Sequence, residues 1–129
     1  MHLTPQDMAD IYSSLTAVRA QNRGAENRRA SRLDVQAAIT LWPMVQERPG
    51  PKRTGLTRDL SLTGISLLLS FPLAADQQFI LLLPRQGSTP KLLLCCVRHA
   101  RQPAENLFFI GAEFVTAIDK QHSAFADAV

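Results

Sequence analysis

The sequence predicts a mainly β fold, a small antiparallel barrel or sandwich with one helix before it and a short helix after it. Three observations predict it. Apolar residues alternate at a period of two from Leu33 onward. Short apolar runs then recur, each bounded by proline, glycine or a polar cluster. The first twenty residues repeat instead at three- and four-residue spacing, which is helical. With 129 residues, 46% of them apolar, the chain is one domain with a sizeable core and is too short for two.

Thr4-Pro5-Gln6-Asp7 opens the helix with a capping hydroxyl, a proline suited to the first helical position and an acid in the first turn. Met8, Ile11, Tyr12, Leu15 and Val18 form one apolar stripe. That stripe predicts packing on the helix's own domain, with docking to a partner as the alternative. Gln21 to Glu26 is polar, contains Gly24, and reads as a linker.

Leu33, Val35, Ala37, Ile39 and Leu41 alternate with Asp34, Gln36, Ala38 and Thr40, the pattern of a half-buried strand. Pro43, Pro49, Gly50 and Pro51 are expected to break it. Further strands are expected from Arg53 to about Arg58, Ile65 to Leu69, Phe79 to Leu83, Leu92 to His99, and Leu107 to Val115. The leucine triplets at 67–69, 81–83 and 92–94 suit a buried helix turn as well as a strand. Flanking Pro72, Pro84 and Pro90 keep them short, which favours strand. Ile118 to Val129 reads as the C-terminal helix, with Ile118, Phe125 and Val129 on one face.

Net charge is +3, but its distribution matters more. Residues 19–32 hold Arg19, Arg23, Arg28, Arg29 and Arg32 against the single acid Glu26, whereas charges balance from Leu60 onward. Such a cluster is a solvated arm or an anion site. Cys95 and Cys96 are adjacent on a strand, so their side chains point to opposite faces. That arrangement excludes a disulfide framework and a zinc site. No apolar run has signal-peptide or membrane-spanning character, and the expected location is the reducing cytoplasm.

Two short runs carry the chemistry. Arg28-Arg29-Ala30-Ser31-Arg32 places three guanidinium groups in five residues, and each presents a planar fork that matches phosphate oxygens or a guanine's Hoogsteen edge. Asp59-Leu60-Ser61-Leu62-Thr63-Gly64 offers an acceptor for guanine's N–H donors, a hydroxyl, and a glycine where the backbone can approach a flat ring. Each run alone is common. Their order, with a strand and a proline-rich turn between them, points to binding of a purine-nucleotide anion.

These runs resemble the signature of the PilZ domains, bacterial receptors for cyclic di-GMP: R-x-x-x-R, then (D/N)-x-S-x-x-G. Arg28 and Arg32 match the first part; Asp59, Ser61 and Gly64 match the second without a gap. Gly64-Ile65-Ser66-Leu67, Val97-Arg98-His99 and Ile110-Gly111-Ala112-Glu113-Phe114 resemble later strands of the family. The resemblance covers roughly Arg28 to Asp119. It implies a six-stranded antiparallel barrel of the PilZ type, divided as an N-terminal helix (1–20), an arginine-rich arm (21–32) and a barrel with a C-terminal helix (33–129).

By the same resemblance, Arg28 and Arg32 would hold phosphates and guanine, Asp59 and Ser61 would read the guanine edge, and Gly64 would shape the floor. Arg29 and Arg98 join them as further candidate ligand residues. Asn27 stands where many relatives carry another arginine, a position that bears on whether one ligand or an intercalated pair is bound.

The implied function is a cyclic di-GMP receptor and adaptor that signals to an effector protein through ordering of the arginine arm. The alternative is an interaction module of the same fold with weak or no nucleotide binding. Nucleic-acid barrels interleave aromatic stacking platforms with basic residues. One Trp, one Tyr and six Phe, mostly at strand positions of buried pattern, do not fit that. Neither an enzyme, a cofactor, a metal nor membrane insertion is expected, because His2, His99 and His122 are scattered without a nucleophile or ligand spacing.

Overall fold

The computed structural model describes residues 1–17, 33–34 (backbone alone) and 37–118. The Arg28–Arg32 run, Val18 and the expected C-terminal helix beyond Ile118 lie outside the described residues. One helix, α1 (Pro5–Ala17), precedes eight strands: β1 (Leu33–Asp34), β2 (Ala38–Val45), β3 (Arg48–Pro49), β4 (Arg53–Leu60), β5 (Gly64–Leu69), β6 (Gln78–Arg85), β7 (Ser88–Ala104) and β8 (Leu107–Ile118).

Six of these close a barrel in the order β4-β5-β8-β7-β6-β2, with β2 pairing back onto β4. Every pairing is antiparallel. The two-residue strands are extensions. β3 folds back on the end of β2, and β1 adds to β4 through Leu33 opposite Leu60 and Asp34 opposite Asp59.

The period of two puts Ile39, Leu41, Leu67, Leu81, Leu93, Ile110 and Phe114 inside the barrel, where they form one buried cluster. Thr57 is the one buried polar residue among those described. Its hydroxyl accepts from the Ala37 N–H at 3.1 Å and donates to the Ala37 carbonyl at 3.2 Å, so the group is satisfied where β4 meets the start of β2.

Helix α1 covers one end of the barrel. The Thr4 hydroxyl accepts from the Asp7 N–H at 2.9 Å, the expected cap. Leu3 and Met8, on either side of that cap, are both buried in the core and staple the entry. Ile11 and Leu15 complete the buried stripe, so the helix packs on its own domain. Four contacts tie this N-terminal segment to the same barrel end. The Leu3 N–H donates to the Leu62 carbonyl, the Gln86 N–H donates to the Asp10 carbonyl, and Asp7 receives Arg85 at 3.0 Å and Lys91 at 3.6 Å. Burial alone would raise the Asp7 carboxyl. The Arg85 hydrogen bond and the Lys91 charge outweigh it and hold the group below its ordinary value.

The prolines do not stop the strands as their positions in sequence suggest. β2 continues through Pro43, and β7 through Pro90 and Pro103. The physical reason is register. Pro84 falls in the irregularity between Leu83 and Arg85, Pro90 faces it, and Pro103 falls in the irregularity between Arg101 and Ala104. A missing N–H costs no ladder bond at such places. Pro43 keeps its carbonyl busy, accepting the Gly50 N–H at 2.7 Å. Likewise β4 runs on through Asp59 and Leu60, so only Ser61–Thr63 turns the chain. Ile118 is the last residue of β8, not the first of a helix. Cys95 and Cys96 are both buried free thiols, and burial pushes the Cys95 thiol far up.

Candidate ligand-binding groove

An open groove of about 870 Å³ lies on the outer face of β4, β5, β8 and β7. Asp59, Ser61, Gly64 and Arg98 all line it. Its floor is made by outward positions of the two central strands, Ser66 on β5 opposite Gly111 on β8. Both are small, which leaves the floor low. Three strand spacings separate the flanking walls, roughly 14 Å at the usual interval.

Each wall is built by a β-bulge. Register shifts between Thr57 and Asp59 in β4, leaving Arg58 as the extra residue, and between Val97 and His99 in β7, leaving Arg98. A bulge breaks strict alternation and lets two consecutive side chains serve one face. Arg58 and Asp59 therefore both face outward on one side, and Arg98 and His99 on the other.

Asp59 is half-buried and accepts the Ser66 hydroxyl at 2.9 Å, which orients the carboxylate across the floor. Ser61 works first for its own loop. Its hydroxyl accepts the Gly64 N–H at 3.1 Å and the Thr63 N–H at 3.3 Å, and donates to the Gly64 carbonyl at 3.2 Å. Gly64 is required by close approach: a Cβ there would meet the Ala112 carbonyl oxygen of β8 at 2.3 Å. The acid, hydroxyl and glycine thus form a tight turn that holds Asp59 at the groove's edge.

Arg98 donates to Glu113 at 2.8 Å and lies 3.6 Å from Asp76. The Glu113 bond raises the guanidinium above its ordinary value, so it is a permanent cation. The pairs are exposed and contribute little, which leaves a ligand anion able to displace them. Arg28, Arg29 and Arg32 lie outside the described residues, but Arg32 is bonded to Leu33, and β1 pairs Leu33 with Leu60 and the next residue with Asp59.

Sequence reading missed His99, Arg101 and Phe109 as groove residues, and Arg58 beside them. The Arg58 and Arg101 guanidinium carbons stand over the Phe109 ring at 5.3 and 5.1 Å. No local pattern announces residues from three strands meeting. Among the described residues no group of three or more His, Cys, Asp or Glu could hold a metal, and no helix is long and apolar enough to cross a membrane.

A closed six-stranded antiparallel barrel with a polar groove on one outer face defines a small β-barrel domain. The PilZ domain family model matches residues 26–127, and the chain belongs to that family. No curated protein matches the sequence significantly. Among solved structures the chain is similar to the Bacillus subtilis inhibitor of motility (MotI/DgrA), with 18% identity and a TM-score of 0.48. That match covers 82% of this chain and 51% of the other, so the chain spans about half the length of that protein.

Proposed function

We propose that this chain is a cyclic di-GMP receptor that acts as an adaptor. In this reading Arg28, Arg29 and Arg32 close over the groove onto the ligand's phosphates and guanine, Asp59 reads guanine N–H donors, and the Ser61–Gly64 turn presents it. Arg98 exchanges Glu113 and Asp76 for the ligand.

The observation that carries the reading is the pairing of β1 with β4. It sets Leu33 opposite Leu60 and Asp34 opposite Asp59, which supports an arm that acts at the Asp59 end of the groove. Closure of the arm is the proposed signal to an effector protein. Helix α1, tied at Leu3, Asp7 and Asp10, serves as a fixed lid on the barrel rather than the moving part.

Calorimetric titration with cyclic di-GMP tests this. Arg28→Ala and Arg32→Ala should each weaken binding by about 1.5–3 kcal/mol, the worth of a charge-assisted contact, while the melting temperature barely moves. Undiminished affinity in the double variant would refute the arm's role. Absence of binding by the unaltered protein would favour an interaction module without nucleotide.

A further inference from the structure

The groove is longer than the signature residues need. Asp59 and the Ser61–Gly64 turn occupy one end, beside β1. The opposite end is walled by Phe109. It sits one outward position beyond Gly111 on β8, opposite Leu68 of β5 and Arg101 of β7.

Arg58 reaches Phe109 from the β4 side and Arg101 from the β7 side. Neither guanidinium has a carboxylate partner among the described residues. Two like charges held over one ring repel each other, and the ring's quadrupole offsets only part of that. An anion or an electron-rich ring placed there would relieve it. The bulge in β4 is what makes the arrangement possible, since strict alternation would not let Arg58 share a face with Asp59.

The geometry points to a second recognition centre at this end, in which Phe109, Arg58 and Arg101 take the second purine ring of the same dinucleotide and its neighbouring phosphate. The phenyl ring supplies a stacking surface. Each guanidinium can stack on a purine or pair bidentately with its Hoogsteen acceptors or with a phosphate. The centre rests on the cyclic di-GMP reading of the groove and gives it a reason to prefer a dinucleotide over a mononucleotide: one base is read at Asp59 and the other is stacked at Phe109.

The test is calorimetry of the full chain with cyclic di-GMP, comparing Arg58→Gln/Arg101→Gln, Phe109→Leu, and Arg53→Gln as a charge control outside the groove. The double variant should bind roughly ten- to hundredfold more weakly, Phe109→Leu about tenfold more weakly, and Arg53→Gln within about twofold of the unaltered protein. Melting curves check that the fold is kept. Affinity within twofold in both groove variants would overturn the second centre, as would equal losses in Arg53→Gln, which would mean bulk charge alone. Arg28→Ala/Arg32→Ala in the same series separates the two readings. Loss there with none at Arg58 and Arg101 keeps the receptor and removes the second centre. An unaltered protein that does not bind removes both.

Discussion

The barrel has two outer faces, and they are built for opposite purposes. On β4, β5, β8 and β7 the outward positions are Asp59, Ser66, Gly111 and His99, small or polar, with cations at the margins. On β2, β6 and β7 the outward positions are Trp42, Ile80 and Leu92, a second apolar cluster flanked by Met44, Leu82, Leu94 and Ile118. Trp42 is only 7% exposed although it points away from the barrel interior. The segments that serve this second face, residues 79–83 of β6 and 92–97 of β7, are apolar at every position because both sides are largely dry. On the polar face the bulges at Arg58 and Arg98 add a cation to each wall. One face adds to the buried apolar packing, and the other leaves an open polar groove, the site proposed for the ligand.

Changes on the two faces should therefore separate stability from binding. The largest effect is expected for Trp42→Ala, which empties a buried aromatic site and should lower stability by about 3–5 kcal/mol. Cyclic di-GMP affinity of the folded fraction should stay unchanged. A matched loss of affinity in a denaturant-melt and titration pair would break the division.

Gly64→Ala comes next. Its Cβ would press on the Ala112 carbonyl of the neighbouring strand, and the expected cost is about 1–3 kcal/mol in thermal unfolding, with weaker binding as the turn shifts. Asp59→Ala should leave stability within about 1 kcal/mol and reduce the preference for cyclic di-GMP over cyclic di-AMP. Unchanged selectivity with a lower melting temperature would make Asp59 a turn residue alone.

The smallest effect concerns the lid. Asp7→Asn should cost about 1 kcal/mol or less through the Arg85 and Lys91 pairs. Because the folded carboxyl is held below its ordinary value, that contribution is present above the unfolded value of 3.8 and disappears as pH falls through the lower folded one. The stability gap between variant and unaltered protein should close below about pH 4 in urea melts, and it should not depend on ligand.

Much of this architecture was legible in the residues because periodicity reports burial directly. The Thr4 cap, the Met8–Ile11–Leu15 stripe and the apolar alternation of the barrel strands are local patterns, and the structure reproduces them. The prolines misled, since their cost depends on whether a partner strand needs the missing N–H, and at Pro84, Pro90 and Pro103 the ladder is irregular. Bulges were invisible for a similar reason. Arg58-Asp59 and Arg98-His99 look like ordinary alternation until the partner's register is known. Asp59, Ser61 and Gly64 could be found as a motif; Phe109 between Arg58 and Arg101 could not, because it exists only where β4, β8 and β7 meet.

The contrast between faces is tested most directly by amide chemical-shift mapping during a titration with cyclic di-GMP. The largest changes should fall on Gly64, Ser66, Arg98, His99 and Gly111, with those of Trp42, Ile80 and Leu92 unmoved. Changes centred on the Trp42 face, or spread evenly around the barrel, would contradict the assignment of the groove as the ligand's site.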